Sequence, residues 1–157
     1  MAETSKYALR KRPETYLISE EAARDQVIEL LEFYDIDIEK LPGDSGEDGK
    51  ISPREGFEAA LDQLTEYVRR GVVEISGSDT GKLQVRQNLA AADAEPLFYK
   101  EINAQAKLAM DRAKGKGYGR LYALAGYLCG LGDAAIIKLP ARDLAVVEIL
   151  GTVFSNA

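Results

Sequence analysis

Histidine is absent from the 157 residues, and cysteine occurs once. Without histidine the chain lacks the commonest general base and the commonest metal ligand. The lone Cys129 excludes an intrachain disulfide, and with no histidine to activate it a buried, inert thiol is expected. No run of about 18 apolar residues occurs, and the N-terminus lacks the apolar core of a secretion signal. The expectation is a protein without a membrane span that stays in a reducing cytoplasm. Basic residues are outnumbered, 20 Lys and Arg against 26 Asp and Glu, for a net charge of −6. That balance argues against broad binding to nucleic acid or to an anionic membrane, although it permits a local basic patch.

What remains is the composition of a folded domain, 46% hydrophobic and 29% charged. The chain is long enough to bury a core without disulfides or metals, as one domain with room for a small subdomain. Residues 1–18 read as a polar arm with Lys6, Arg10, Lys11 and Arg12 clustered before Pro13. A solvated tail is the favoured reading of that cluster over contact with an acidic partner.

Residues 19–88 read as helix, loop, helix and hairpin. Ser19 caps a helix with Glu20 and Glu21 in its first turn and Ala23, Val27, Leu30, Leu31 and Tyr34 on its apolar side. Residues 35–39 alternate, which suits a short extended stretch or a frayed helix end. Ser52, Pro53 and Glu55 form a capping-box start for a second helix, which Gly71 stops. Two β-branched runs, Val72–Ser76 and Lys82–Arg86, flank Gly77–Gly81 as a β-hairpin. Residues 88–96, small and acidic, read as a linker.

Residues 97–157 read as a helical region. A helix is expected from Leu97 to Lys114, with Phe98, Ile102, Gln105, Ala109 and Ala113 on one thin apolar side. After Gly115–Gly119 comes the stretch on which the region is centred. Leu121, Leu124, Ala125, Leu128 and Leu131 make one helical stripe, Gly132 is placed to stop it, and Asp133 to cap the next turn of helix. Pro140 sets the first turn of the last helix, whose buried side is Val146, Val147, Leu150, Val153 and Phe154. The fold class is α+β, predominantly helical, with helices packed on one β-hairpin. One compact domain is the expectation.

Four stretches invite a chemical reading. Asp44, Asp48 and Glu55 fall at the first, fifth and twelfth positions of a calcium loop, with Gly49 at its turn. Gly46 leaves the third position without a side-chain oxygen, and Ser52 and Glu55 are already explained as a cap, so an acidic surface loop is preferred. Gly115–Gly119 matches neither the Walker pattern nor the dinucleotide fingerprint and reads as a joint between helices. Lys100, Lys107, Arg112, Lys114, Lys116 and Arg120 interleave with Tyr99, Tyr118 and Tyr122, a pattern that can stack single-stranded bases. Glu101 and Asp111 dilute it. The helix before Gly71 followed by a hairpin resembles the end of a winged-helix domain, yet Phe57–Tyr67 is net acidic where phosphate contacts would be needed. No cofactor is expected, and no pairing of a nucleophile with a base is visible.

A family resemblance lies in the second half. The strand pair of Val72–Arg86, the helix end at Leu121–Leu131, the turn Ile136–Pro140 and the final helix Ala141–Phe154 together resemble the helical core of tailed-phage tail assembly chaperones of the Mu-like type. The resemblance implies a non-enzymatic protein that binds tape-measure and tail tube proteins during assembly in the host cytoplasm, then leaves. Such a protein needs an apolar surface on an acidic body. Tyr118, Tyr122, Tyr127, Leu150 and Phe154 are the candidate partner-binding residues. The alternatives are a winged-helix-like DNA-associated regulator and, third, a calcium-binding protein.

Overall fold

Two serines start the first two helices. The Ser19 hydroxyl accepts the Ala22 amide at 3.1 Å and opens α1 (Glu20–Phe33). Ser52 accepts the Glu55 amide at 3.1 Å and opens α2 (Pro53–Arg69), with Pro53 in its first turn. Each bond satisfies an amide that the helix itself cannot. The chain is seen in a computed structural model that describes residues 5–7, 16–44, 49–77, 81–113 and 117–157.

Between these helices the alternating stretch is neither a strand nor a helix end. Asp35 takes a left-handed turn (φ 52°), and Ile38–Lys40 form a single 3-10 turn in which Asp37 holds the Glu39 amide at 2.9 Å. The Arg54 guanidinium donates to the carbonyls of Glu39 and Leu41, both at 2.9 Å, which locks the turn onto the start of α2. Arg69 and Arg70 at the far end of α2 are covered by the Tyr16 ring, 3.7 Å from the Arg69 guanidinium, and the Tyr16 hydroxyl reaches Glu66 at 2.9 Å.

The expected hairpin is present as β1 (Val73–Ser76) and β2 (Gln84–Gln87), antiparallel, with Glu74 opposite Arg86. A third strand, β3 (Leu97–Tyr99), pairs with β2, so the sheet has order β1-β2-β3. This corrects the helix expected from Leu97. Leu97 and Tyr99 point into the core while Phe98 is 45% exposed beside Arg86, the period of a strand. Helix α3 (Ala104–Arg112) starts later, where the Asn103 side chain accepts the Ala106 amide at 2.9 Å. Residues 88–96 run between β2 and β3 and are pinned at their start: Asn88 donates to the Val72 and Gly71 carbonyls, and the Ala90 amide donates to Asp143.

Helix α4 (Tyr118–Cys129) carries Leu124, Ala125 and Leu128 inward, as its stripe predicts. It stops earlier than expected. Gly130, not Gly132, takes the left-handed position (φ 70°), and the amides of Leu131 and Gly132 both return to the Gly126 carbonyl at 3.0 Å. Leu131 therefore lies beyond the helix, 54% exposed. The returning chain is so close that a Cβ on Gly126 would lie 2.4 Å from the Gly132 carbonyl carbon. Asp133 opens α5 (Asp133–Ile137) from its first turn, without a side-chain cap.

Pro140 precedes α6 (Ala141–Phe154), which buries Val146, Val147, Leu150, Val153 and Phe154 against α2 and α4. One hydrophobic core joins residues from α1, α2, the sheet, α4 and α6.

Within that core runs a chain of polar groups. The Tyr99 hydroxyl donates to the Gln87 side-chain oxygen at 2.7 Å, and the Gln87 amide donates to the Asp143 main-chain carbonyl at 3.0 Å. The Asp143 carboxylate accepts the Ala90 amide at 3.0 Å. Gln87 is fully buried, and Tyr99 and Asp143 nearly so. Replacing Gln87 by Ala removes both of its hydrogen bonds and opens a cavity among β2, β3 and α6, so Gln87→Ala is expected to destabilise the fold by about 2–4 kcal/mol. Tyr99→Phe removes one hydroxyl and is expected to cost about 1–2 kcal/mol. Urea unfolding followed by circular dichroism measures both, and equal costs for the two variants would disprove the network.

Candidate protein-binding groove

Helices α3 and α4 form an antiparallel hairpin, clasped at both ends. Tyr127 donates its hydroxyl to Gln105 at 2.6 Å near one end, and Arg120 meets Asp111 at 3.2 Å near the other. The Lys100 amide donates to the Leu128 carbonyl at 3.1 Å, tying the end of β3 to α4. Because α4 turns tightly at Gly130 and α5 folds back onto Gly126, the hairpin is left with an open groove of about 780 Å³. Its walls are small: Ala109 and Ala113 from the α3 side, Ala123 and Gly126 from α4. Lys100 and Arg112 line it, as do Glu101 and Asp133. Leu108, Leu131 and Ile137 are large apolar side chains exposed on the same three-helix unit, at 47%, 54% and 56%.

The candidate partner-binding residues scatter around this unit. Tyr127 lines the groove. Tyr118 is exposed on a different hollow of about 370 Å³, with Met110, Leu121 and Ser155. Its ring stacks on that of Tyr122 at 6.2 Å, and Tyr122 donates its hydroxyl to Glu148 at 2.6 Å. Leu150 and Phe154 are core residues, at 0% and 2% exposure. The Phe154 ring packs 5.6 Å from Tyr99 and 6.3 Å from Tyr34. Their expected place at a partner surface is corrected accordingly: an enclosed side chain adds nothing to a surface, and the apolar stripe of α6 faces its own chain.

Of the basic and tyrosine set, Lys100 and Arg112 line the groove and Tyr118 and Arg120 line the second hollow, whereas the described residues of the calcium loop and α2 contribute nothing to either. In the loop, Asp48 lies outside the described residues, Asp44 is exposed, and Ser52 with Glu55 makes the cap of α2. Lys114 and Lys116 also lie outside the described residues. Of the three tyrosines set among the basic residues, Tyr99 is buried and hydrogen-bonded, so its face is closed to a base. The solvent side of α2 carries Glu55, Glu58 and Asp62, carboxylates where a DNA-reading helix needs cations. Among the described residues no helix is long and apolar enough to cross a membrane.

Cys129, the last residue of α4, is part-buried rather than fully enclosed. Burial pushes its pKa up to about 12, against a smaller opposing pull from a hydrogen bond with Tyr99. Burial also raises Tyr99 well above an ordinary phenol, with Cys129 adding to the shift. The hydrogen bond to Glu148 holds the Tyr122 phenol at about 12. No family model, no curated protein and no solved structure matches this chain.

All three groups are acids that the fold keeps protonated. The unfolded chain releases the same protons lower, near 9.0 for the thiol and 10.0 for the phenols. The contribution of Cys129 and Tyr122 to stability is therefore complete below about pH 9 and is lost as the pH rises toward about 12, and Tyr99 acts in the same direction. Two measurements check this. Cys129 should react with a thiol-specific disulfide reagent at about pH 8 at least ~100-fold more slowly in the folded chain than in urea. The urea midpoint should fall between about pH 8 and about pH 11, and fall less in Tyr122→Phe. A thiol that reacts equally fast in both states contradicts the burial.

Proposed function

We propose that the chain is a non-enzymatic protein-binding assembly factor that receives its partner in the groove between α3, α4 and α5. The observation that carries this reading is the groove itself. It is open and floored by alanine and glycine, and the partly exposed Tyr127 stands in its lining. Small floor residues let a second helix approach closely, and Leu108, Leu131 and Ile137, exposed on the same three helices, are further apolar area to bury. The charged residues lining it are Lys100, Glu101, Arg112 and Asp133. They suit orientation of a partner segment, with a carboxylate and a cation together at the end of β3.

The resemblance to Mu-like tail assembly chaperones makes the finer reading a tail assembly chaperone, with an apolar-faced helix of a tape-measure or tail tube protein as client. The surface departs from the one expected there. Tyr127 is retained from the candidate set, while Ala109, Ala123 and Gly126 take the place of Leu150 and Phe154.

Co-expression of the tagged chain with a tape-measure-like protein tests the reading. The wild-type chain should keep that protein soluble and co-purify with it. Ala109→Trp fills the groove without touching the core and should reduce recovery at least ~10-fold, the scale of one well-placed contact at an interface centre. Ala22→Trp, on exposed α1 surface, should leave recovery unchanged. Equal recovery with a filled groove would remove the groove from the function.

A further inference from the structure

Helix α3 has hollows along both of its sides. The groove takes Ala109 and Arg112 from one row of the helix. The hollow beside Tyr118 takes Met110 from the opposite row, and a third, of about 280 Å³, takes Ala104 and Lys107 from that same row. Ala106, between the rows, is the buried residue of α3, whereas six of its nine residues are exposed. A helix of that length does not hold itself in water, so α3 depends on its seat. The seat consists of one enclosed methyl group, the half-buried Ala109 and Met110, and the two clasps to Tyr127 and Arg120. Side-chain pairs in contact with water contribute little. Its partner α4, by contrast, buries Leu124, Ala125, Gly126 and Leu128. The chain before α3 is firmly held: the Lys100 amide is bonded to Leu128, and the Ile102 amide donates to the Tyr34 hydroxyl at 3.2 Å. Asn103, next along, is extended backbone (φ −134°, ψ −178°).

We propose that α3 is a flap: it leaves α4 as one unit, turning about Asn103, while the rest of the fold stays intact. Its departure joins the groove to the hollow beside Tyr118, because the two are lined from opposite sides of α3 and from the same helix α4. The result is one trough along α4 from Tyr118 to Tyr127, about 14 Å long, the length of α3 itself. In the closed form α3 fills the middle of that trough and restricts what the groove can receive. The flap thereby regulates the site, since a partner helix and α3 compete for the same stretch of α4. That regulation rests on the groove being a protein-binding surface; the opening of α3 does not.

Amide hydrogen exchange on the full chain, resolved residue by residue, tests it. Amides within residues 107–112 should exchange at least ~100-fold faster than those within 122–129, and low urea should scarcely alter their rate, because a local opening exposes little surface. Lys107→Gly with Asp111→Gly lowers helix propensity at two exposed positions outside the groove and removes the Arg120 clasp. It should speed exchange in α3 by a further ~10-fold and leave α4 unchanged. Gln105→Glu puts a carboxylate in the first turn of α3 and strengthens the bond from Tyr127, so it should slow α3 by ~3-fold or more. Capture of the tape-measure-like protein, with the chain limiting, should rise in the first variant and fall in the second. Amides of α3 that exchange as slowly as those of α4, or only on global unfolding, would overturn the flap. Exchange that shifts as expected while capture stays level in both variants would overturn its control of the groove. Absence of capture in wild type and both variants would count against the assembly reading alone, and the exchange rates would then decide the flap.

Discussion

The fold hangs on a hydrogen-bond chain of three residues, Tyr99 to Gln87 to the main chain of Asp143. Each member belongs to a different element: β3, β2 and α6. A buried glutamine is destabilising unless both ends of its amide are satisfied, and here both are. The Asp143 carboxylate extends the chain to the amide of Ala90, which fixes the path between β2 and β3. The consequence is positional. β3 is held inside the core although it has only three residues, and α6 is held across the sheet rather than left on the surface. The elements after β3, including the α3–α4 hairpin, take their position from that anchor.

The groove is a product of backbone geometry more than of its side chains. Gly126 has no room for a Cβ because the α4–α5 turn returns against it, and Gly130 supplies the left-handed residue that makes the return possible. A longer α4, of the kind its stripe extends to Leu131, would have carried α5 away and left a flat helix pair. By stopping at Cys129 the chain turns Leu131 outward and brings Asp133 over the end of the hairpin. The concavity therefore depends on two glycines whose side of the helix is otherwise apolar.

Much of the frame is legible in the residues. Both serine-capped helices, the hairpin and the buried stripe of α6 follow from local rules: a cap, a period, a glycine stop. β3 is not legible because Leu97-Phe98-Tyr99 is too short to display a period of two, and Pro96 before it with Asn103 after it frames a helix start as readily as a strand end. The stop of α4 is ambiguous in the sequence because Gly130 and Gly132 are equally good local candidates; only the packing of Gly126 on the returning chain selects between them. The candidate site is partly legible. Tyr127 stands out by its chemistry, whereas Leu150 and Phe154 lie on a stripe that does not say which neighbour it faces. Ala109, Ala123 and Gly126 have no chemistry to notice, and their importance is the space they leave.

Burial explains why the groups with the most reactive side chains are the least available. Cys129 and Tyr99 are placed where ionisation is penalised, and the loss of water around each outweighs the hydrogen bond between them. Tyr122 reaches the same state by a different route, since its proton is the one that binds Glu148. In all three the neutral form is the structural form. These side chains serve as struts, and the surface left to meet another molecule is the shape and charge of the outer helices. The outer face of α1 carries carboxylates and Arg24 around Ile28, and the groove beside α3 is lined by two cations, two carboxylates and small residues. The ionisable groups of the interior thus hold the fold together in their neutral form.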